Sequence, residues 1–162
     1  MKDSIHPNTR IGHVHLKVSD LERAVKFYTH ILGFEVTTRM GTNAAFLSAG
    51  GYHHHIGLNT WESKGGAAPK PGSTGLYHFA ILMPDRKALA QAVKRLEDHD
   101  WPMEGFADHG VSEAVYLRDP DDNGIEIYVD RPRGQWPKTE TGELLMYTKP
   151  LDLDGLMSEL DS

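Results

Sequence analysis

The chain contains an internal repeat, and this repeat limits the folds it can adopt. Residues 13–20 read HVHLKVSD, and 65 residues later residues 78–85 read HFAILMPD. Each copy is a short strand-like run that opens with a histidine and ends at an aspartate suited to begin a helix. Helical periodicity and further strand-like runs follow each copy. The unit is too long for a solenoid repeat, so we expect two tandem βαβββ modules that build one pseudo-symmetric sheet.

The predicted modules span about residues 10–62 and 75–131. A linker at 63–74, rich in Gly, Pro and Lys, joins them, and a polar tail at 132–162 ends in a predicted short helix. The expected fold class is α+β, a single domain over 1–162 with a cup-shaped mixed sheet and helices on its outer face. Strands are predicted at 34–40, 44–49 and 52–60 in the first module and at 76–83 in the second.

A hairpin closes the second module at residues 107–131, with the turn DPDDNG at 119–124. Pro, Asp, Asn and Gly are the residues that fix turn dihedrals or bond to their own backbone. After the turn an aliphatic stripe alternates with Glu126 and Tyr128, and before it Tyr116 alternates with Val115 and Leu117. The polar members of the hairpin are therefore predicted to share the face away from the helices.

Composition excludes several function classes. The chain of 162 residues is 39% hydrophobic, lacks cysteine and carries a formal charge of −6. It has no apolar run of the ~20 residues that a membrane helix needs, and its start lacks the apolar centre of a secretory signal. A negative charge disfavours general nucleic-acid binding. We expect a cytoplasmic protein with no membrane or nucleic-acid partner.

Ten histidines and no cysteine leave imidazole and carboxylate as the available transition-metal ligands. His13 and His78 occupy equivalent positions of the repeat, and Glu126 lies on the same expected face of the second module. Two imidazoles and one carboxylate form the facial triad of non-haem iron(II) sites, which leaves positions open for substrate and dioxygen. Zinc, manganese or nickel would fit the same three ligands.

Two stretches resemble a known family. HVHLKVSDLERAVKFYTHILGF is similar to the opening strand and helix of the vicinal oxygen chelate superfamily, and YLRDPDDNGIEIY is similar to its closing hairpin. This superfamily includes glyoxalase I, bleomycin-resistance proteins and extradiol ring-cleaving dioxygenases. The finer resemblance, which includes LDLDGL in the tail, is to catechol 2,3-dioxygenases. It implies that His13, His78 and Glu126 are the three iron ligands.

The same resemblance implies catalytic roles for His54, His109 and Tyr116, with His54 near bound dioxygen. Strand alternation instead places His53 and His55 on the inner face, so His55 remains the alternative. A substrate-binding role is expected for His55.

Trp61, at the root of the linker, and Tyr128, on the face of Glu126, are also expected to contact substrate. The implied function is ring cleavage of a catechol-type aromatic diol with Fe(II) and O2, in a homodimer or higher homo-oligomer.

Two alternative functions stay open. A glyoxalase-like lyase or isomerase would use nickel, zinc or manganese and an acid/base on the fourth strand. A non-enzymatic resistance protein would bind a small molecule and need no metal triad.

Overall fold

The computed structural model describes residues 4–161, which form two βαβββ modules. In the first module, the strands are β1 (Val14–Lys17), β2 (Glu35–Met40), β3 (Ala44–Ser48) and β4 (Ile56–Asn59), and the helix α1 (Leu21–Lys26) follows β1. A π-helical stretch, Phe27–Ile31, continues α1. The sheet order is β1-β4-β3-β2, with β1 parallel to β4 and the other pairs antiparallel.

The second module repeats this plan. Its elements are β5 (Phe79–Leu82), α2 (Arg86–Asp98), β6 (Met103–Asp108), β7 (Ser112–Arg118) and β8 (Gly124–Asp130). The tail adds a 3-10 turn (Arg133–Gln135), the strand β9 (Lys149–Pro150), the helix α3 (Leu153–Met157) and a final 3-10 turn (Ser158–Asp161). The sheet order is β5-β8-β7-β6-β9, with β5 parallel to β8.

The predicted fold class and the tandem βαβββ plan are confirmed, but the strands form two mixed sheets instead of one. Within residues 4–161, β1 pairs only with β4, and β5 pairs only with β8. Each of these strands is therefore the outer edge of its own sheet, and no ladder joins the two edges.

The same capping starts the helix of both modules, as the repeat predicted. The Asp20 carboxylate accepts a hydrogen bond from the Arg23 amide at 3.0 Å, and Asp85 accepts one from Ala88 at 2.8 Å. Side-chain oxygens at this position satisfy amides that have no partner within the helix. Gly33 follows the π-helical stretch and its C-cap Leu32, and its φ of +88° suits glycine.

Two strand predictions were too long at their starts. The strand expected at 52–60 begins at Ile56, and the strand expected at 76–83 begins at Phe79. Both limits follow from the parallel partner. Phe79 pairs with Ile125, the second residue of β8, and Ile56 pairs with Val14, the first residue of β1. The parallel ladders begin at these positions.

One apolar core lies between the sheets and the helices and draws residues from both modules. It includes Leu16 and Leu58 of the first module and Val115 and Ile127 of the second. At its edge the buried Tyr28 hydroxyl donates to the buried Asp119 carboxylate at 2.9 Å. The helical segment of the first module is thus fastened to the hairpin turn of the second.

Candidate metal and catalytic site

His78 and Glu126, two of the three predicted metal ligands, lie side by side. His78 directly precedes β5, and Glu126 lies on β8, where the ladder sets it opposite Ala80. The His78 Nε2 atom is 2.9 Å from the Glu126 Oε2 atom. The side chains are 31% and 14% exposed, so the pair is reachable from solvent while partly shielded by the sheet.

Tyr116 lies directly across the ladder from Glu126, on β7. Its hydroxyl is 3.2 Å from the Glu126 Oε1 atom. Partial burial, and then the negative charge and hydrogen bond of Glu126, raise the pKa of Tyr116 to about 12. The phenol therefore keeps its proton throughout the physiological pH range and is a hydrogen-bond donor in this site.

His109 completes a continuous chain of polar groups. A tight turn in which the His109 amide donates to the Ser112 carbonyl, with Gly110 at φ +77°, folds the segment back before β7. This turn lets His109 reach Tyr116 although only seven positions separate them, and its Nε2 atom is 2.7 Å from the Tyr116 hydroxyl. We call His78, Glu126, Tyr116 and His109 the second-module cluster.

His13 lies in a different group, with His53, His54 and His55, which we call the first-module cluster. The rings of His13 and His54 are 4.4 Å apart, and the Nδ1 atoms of His53 and His54 are 2.8 Å apart. Partial burial, and then the neighbouring His13, lower the pKa of His54. His54 is accordingly neutral at pH 7 and able to accept a proton.

His54 and not His55 lies against His13. The His55 Nδ1 atom is 3.1 Å from the Ser48 hydroxyl, and its ring stacks on Tyr52 at 4.8 Å. The three consecutive histidines precede β4, so strict strand alternation does not govern where their side chains point.

The predicted triad is divided between the two clusters. Among residues 4–161, no three His, Cys, Asp or Glu side chains are grouped closely enough to hold a metal ion. His78 and Glu126 are together, and His13 is with the first-module cluster.

A depression of about 230 Å³ opens beside His78 and Tyr116. Its rim includes Tyr77, and the ion pair of Arg118 with Glu104, 2.8 Å between Nε and Oε1, lies at its edge.

Comparison with known proteins identifies the family. The family description "Glyoxalase/Bleomycin resistance protein/Dioxygenase superfamily" matches residues 10–127. The chain belongs to this superfamily.

Two relatives of the superfamily carry dioxygenase names. A Bacillus subtilis (strain 168) protein named catechol-2,3-dioxygenase is 43% identical over 157 residues, which are 96% of this chain and 54% of that protein. A Rhodococcus globerulus protein named biphenyl-2,3-diol 1,2-dioxygenase 3 is 29% identical and covers 75% of this chain and 63% of its own length. The chain thus spans between half and two thirds of the length of these relatives.

The fold is also that of solved superfamily structures. A glyoxalase/dioxygenase from Nostoc punctiforme superposes with a TM-score of 0.64 at 21% identity, over 82% of this chain and 99% of that one. Within residues 4–161, no helix has the length and hydrophobicity needed to cross a membrane.

The first module carries different residues at the positions that correspond to Glu126 and Tyr116 of the second-module cluster. The ladders set Gly57 where the second module has Glu126, and Phe46 where it has Tyr116. The His15 ring fills the space beside Gly57, because a Cβ there would lie 2.9 Å from the His15 Cγ atom. The first module therefore lacks a carboxylate at this place.

Trp61 and Tyr128, two residues expected to contact substrate, lie in different modules. Trp61 is 58% exposed and faces His15, with ring centres 5.6 Å apart. Tyr128 lies two residues after Glu126 on β8, and partial burial followed by the charges of Asp130 and Glu126 raises its pKa.

One contact of the candidate site was not predicted from the sequence. The backbone carbonyl of Tyr147, in the tail, accepts a hydrogen bond from His109 Nδ1 at 2.9 Å. Every residue supplies a carbonyl, so no residue type or motif marks this contact in the sequence.

Proposed function

We propose that this chain is an extradiol ring-cleaving dioxygenase that acts on a catechol-type aromatic diol with iron(II) and dioxygen. The observation that carries this proposal is the placement of the Tyr116 hydroxyl between His109 Nε2, at 2.7 Å, and Glu126 Oε1, at 3.2 Å. A metal ligand, a protonated phenol and an imidazole in line are suited to bind a diol at a metal and to handle its protons. The dioxygenase name of the 43% identical relative agrees with this proposal.

The donor set of the chain fits iron(II). His78 and Glu126 already converge and are partly exposed, and His13 would supply the second imidazole of a two-histidine, one-carboxylate set. When bound, the iron would hold diol and dioxygen together and let charge pass between them.

The side chains of the protein would then position the substrate and transfer protons. Tyr116, with its pKa of about 12, would donate a hydrogen bond to a substrate oxygen without losing its proton. His109 would accept a proton from the substrate side through its Nε2 atom. His54, neutral because its pKa is lowered, would serve as acid/base near His13.

The third ligand requires the two clusters to meet, and a second copy of the chain offers the means. The outer edges of β1 and β5, next to His13 and His78, have no strand partner within residues 4–161. We propose a homodimer in which the first module of one copy places His13 beside His78 and Glu126 of the other. Most soluble oligomers are symmetric dimers of this kind, in which each contact occurs twice.

One position on β4 counts against the glyoxalase-like alternative. Such an enzyme is expected to use an acid/base residue on the fourth strand. In this chain the position on β4 that matches Glu126 is Gly57. The small-molecule-binding alternative needs no metal ligands and does not account for the His78–Glu126 pair.

Anaerobic loading with iron(II), followed by catechol and then air, tests the proposal. We expect a yellow ring-cleavage product with iron(II) and none with zinc or nickel in its place. Absence of turnover on catechol and on a panel of substituted catechols, in protein with a full complement of iron, would refute the proposal.

A further inference from the structure

The tail docks next to His109, beyond residues 10–127 that match the superfamily. Its strand β9 pairs with the end of β6, Pro150 opposite Ala107 and Lys149 opposite Asp108. Just before β9, Tyr147 and His109 bond reciprocally. The Tyr147 amide donates to the His109 carbonyl at 3.3 Å, and the His109 Nδ1 atom lies 2.9 Å from the Tyr147 carbonyl oxygen.

The contact between His109 Nδ1 and the Tyr147 carbonyl determines which ring nitrogen of His109 carries the proton. A carbonyl oxygen can only accept, so the hydrogen of the contact is on His109 Nδ1. In a neutral imidazole the other nitrogen, Nε2, then carries a lone pair and no proton. That nitrogen is the atom 2.7 Å from the Tyr116 hydroxyl.

The Tyr116 hydroxyl has two acceptors within reach and one proton. Its contact with His109 Nε2 is 2.7 Å, and its contact with Glu126 Oε1 is 3.2 Å. With His109 protonated on Nδ1, the phenol can donate to His109 Nε2 along the shorter contact as well as to Glu126 along the longer one. His109 Nε2 is then a hydrogen-bond acceptor at the end of the second-module cluster.

We propose that the Tyr147 backbone carbonyl is a positioning group that selects the Nδ1–H tautomer of His109 and so leaves Nε2 free to accept a hydrogen bond from Tyr116. The catalytic consequence rests on the proposed function, whereas the tautomer is a property of the metal-free protein. Without the carbonyl contact, His109 could carry its proton on Nε2. A protonated Nε2 can no longer accept a hydrogen bond from the Tyr116 hydroxyl.

Gly110 has no side chain, and this leaves the space in which the tail packs. A Cβ on Gly110 would lie 2.7 Å from the Tyr147 ring and 2.7 Å from the Pro137 ring, and the residue has φ +77°. The Lys149 ammonium lies 4.5 Å from the centre of the Tyr147 ring and covers it. Gly110→Ala should therefore displace Tyr147, and Tyr147→Ala should loosen the same contact without straining the turn.

A hydrogen bond from Thr148 is the competing explanation for the tautomer of His109. Its hydroxyl is 3.3 Å from His109 Nδ1, and a hydroxyl that donated there would favour the opposite tautomer. The contact to the Tyr147 carbonyl is shorter, so Thr148→Val should leave the tautomer unchanged.

The test is nitrogen-15 NMR of the histidine rings in the full, metal-free chain. We expect His109 to show a protonated Nδ1 and an unprotonated Nε2 in the wild type and in Thr148→Val. In Gly110→Ala and in Tyr147→Ala the signals should move towards the Nε2–H form. His99, whose Nδ1 faces the Arg95 carbonyl at 2.8 Å far along the chain, is an internal reference that should not change.

Two results would overturn the proposal. One is an Nε2–H tautomer of His109 in the wild type. The other is a tautomer that changes in Thr148→Val but stays the same in both tail variants. Thermal unfolding of each variant distinguishes a displaced tail from a failed fold, and Tyr147→Ala serves if Gly110→Ala does not fold.

Kinetics of the iron-loaded enzyme add a second readout. We expect kcat of Tyr147→Ala to fall about tenfold with KM nearly unchanged. This is the effect expected when a general base, here His109, is in the wrong tautomer. An inactive wild-type enzyme would refute the proposed function and leave the NMR result standing. Conversely, ring cleavage with an Nε2–H His109 would refute only the role of Tyr147.

Discussion

At the scale of single residues, the Tyr116 phenol joins the acid–base half of the candidate site to its metal-binding half. It contacts His109 on one side and Glu126 on the other. Its pKa of about 12, raised by burial and by Glu126, keeps it protonated. At physiological pH the phenol is therefore a hydrogen-bond donor.

Replacement of Tyr116 by Phe should lower kcat about 10- to 100-fold and leave iron binding intact, because the phenol donates a hydrogen bond and is not a proposed ligand. His109→Ala should have a similar effect. Since the two groups are hydrogen-bonded, the double variant should be little worse than either single one. Steady-state kinetics and iron analysis of all three variants measure this, and fully additive losses would contradict a shared role.

Three residues of the second-module cluster follow from local patterns in the sequence, and the fourth, His109, was named from the family resemblance. Alternation placed Tyr116 and Glu126 on one face, and the repeat placed His78 next to its strand. The contact with Tyr147 lay outside such patterns, since it uses a backbone atom from a distant segment. His13 was named as a ligand too, but its distance from His78 depends on how the modules meet, and strand periodicity carries no information about this.

At the scale of elements, the turn between β7 and β8 connects the modules. Asp119 Oδ1 accepts bonds from the Asp121 and Asn123 amides, and Oδ2 accepts from the Asn123 side chain and from Tyr28. Its neighbour Asp121 accepts from Ser19 at the start of the first helix. The residues that shape the turn thus also hold it against the other module. The sequence predicted the turn from its Pro, Asp, Asn and Gly but not this second role.

The connection can be measured through stability. Tyr28→Phe should lower the free energy of unfolding by about 1–2 kcal/mol, because it removes one buried hydrogen bond and leaves a carboxylate oxygen with fewer donors. Asp119→Ala should cost more, about 3 kcal/mol, since one buried donor and three partly buried donors lose their acceptor. Urea unfolding gives both values, and a cost below that of Tyr28→Phe for Asp119→Ala would contradict this account of the turn.

The pH dependence of stability follows from the same contact. Burial, and then the charge of Asp119, raise the pKa of Tyr28 well above its usual value. A tyrosine with a raised pKa holds its proton more tightly in the folded state, so its stabilising contribution is complete below pH 10 and is lost as pH rises beyond that. Tyr28→Phe should weaken the alkaline loss of stability in urea titrations at pH 9–11. An equally steep loss in the variant would assign it to other groups.

At the scale of the whole molecule, the two modules have the same topology and different chemistry. Each pairs its first strand with its last in parallel, but one carries a carboxylate and phenol where the other carries Gly57 and Phe46. A site built from both modules therefore needs His13 from the first and the His78–Glu126 pair from the second. The sequence predicted both modules, while the separation of their sheets depends on edge pairing that the repeat leaves open.

A shared site makes two inactive variants complement one another. If His13 acts across the dimer, co-expression of His13→Ala with Glu126→Ala should restore about a quarter of wild-type activity, since half of the random dimers are mixed and each has one intact site. Separately tagged chains allow the mixed dimer to be purified and assayed. No activity in that mixed dimer, with each parent dimer folded, would mean that each chain completes its own site.

Stoichiometric iron(II) binding under anaerobic conditions tests the proposed ligand set most directly. We predict one iron per chain for the wild type and for His30→Ala, a histidine beside Thr29 on the first helical segment. We predict loss of tight iron binding, and with it of catechol cleavage, in His13→Ala, His78→Ala and Glu126→Ala. A Glu126→Ala protein that keeps full iron and full activity would contradict the account.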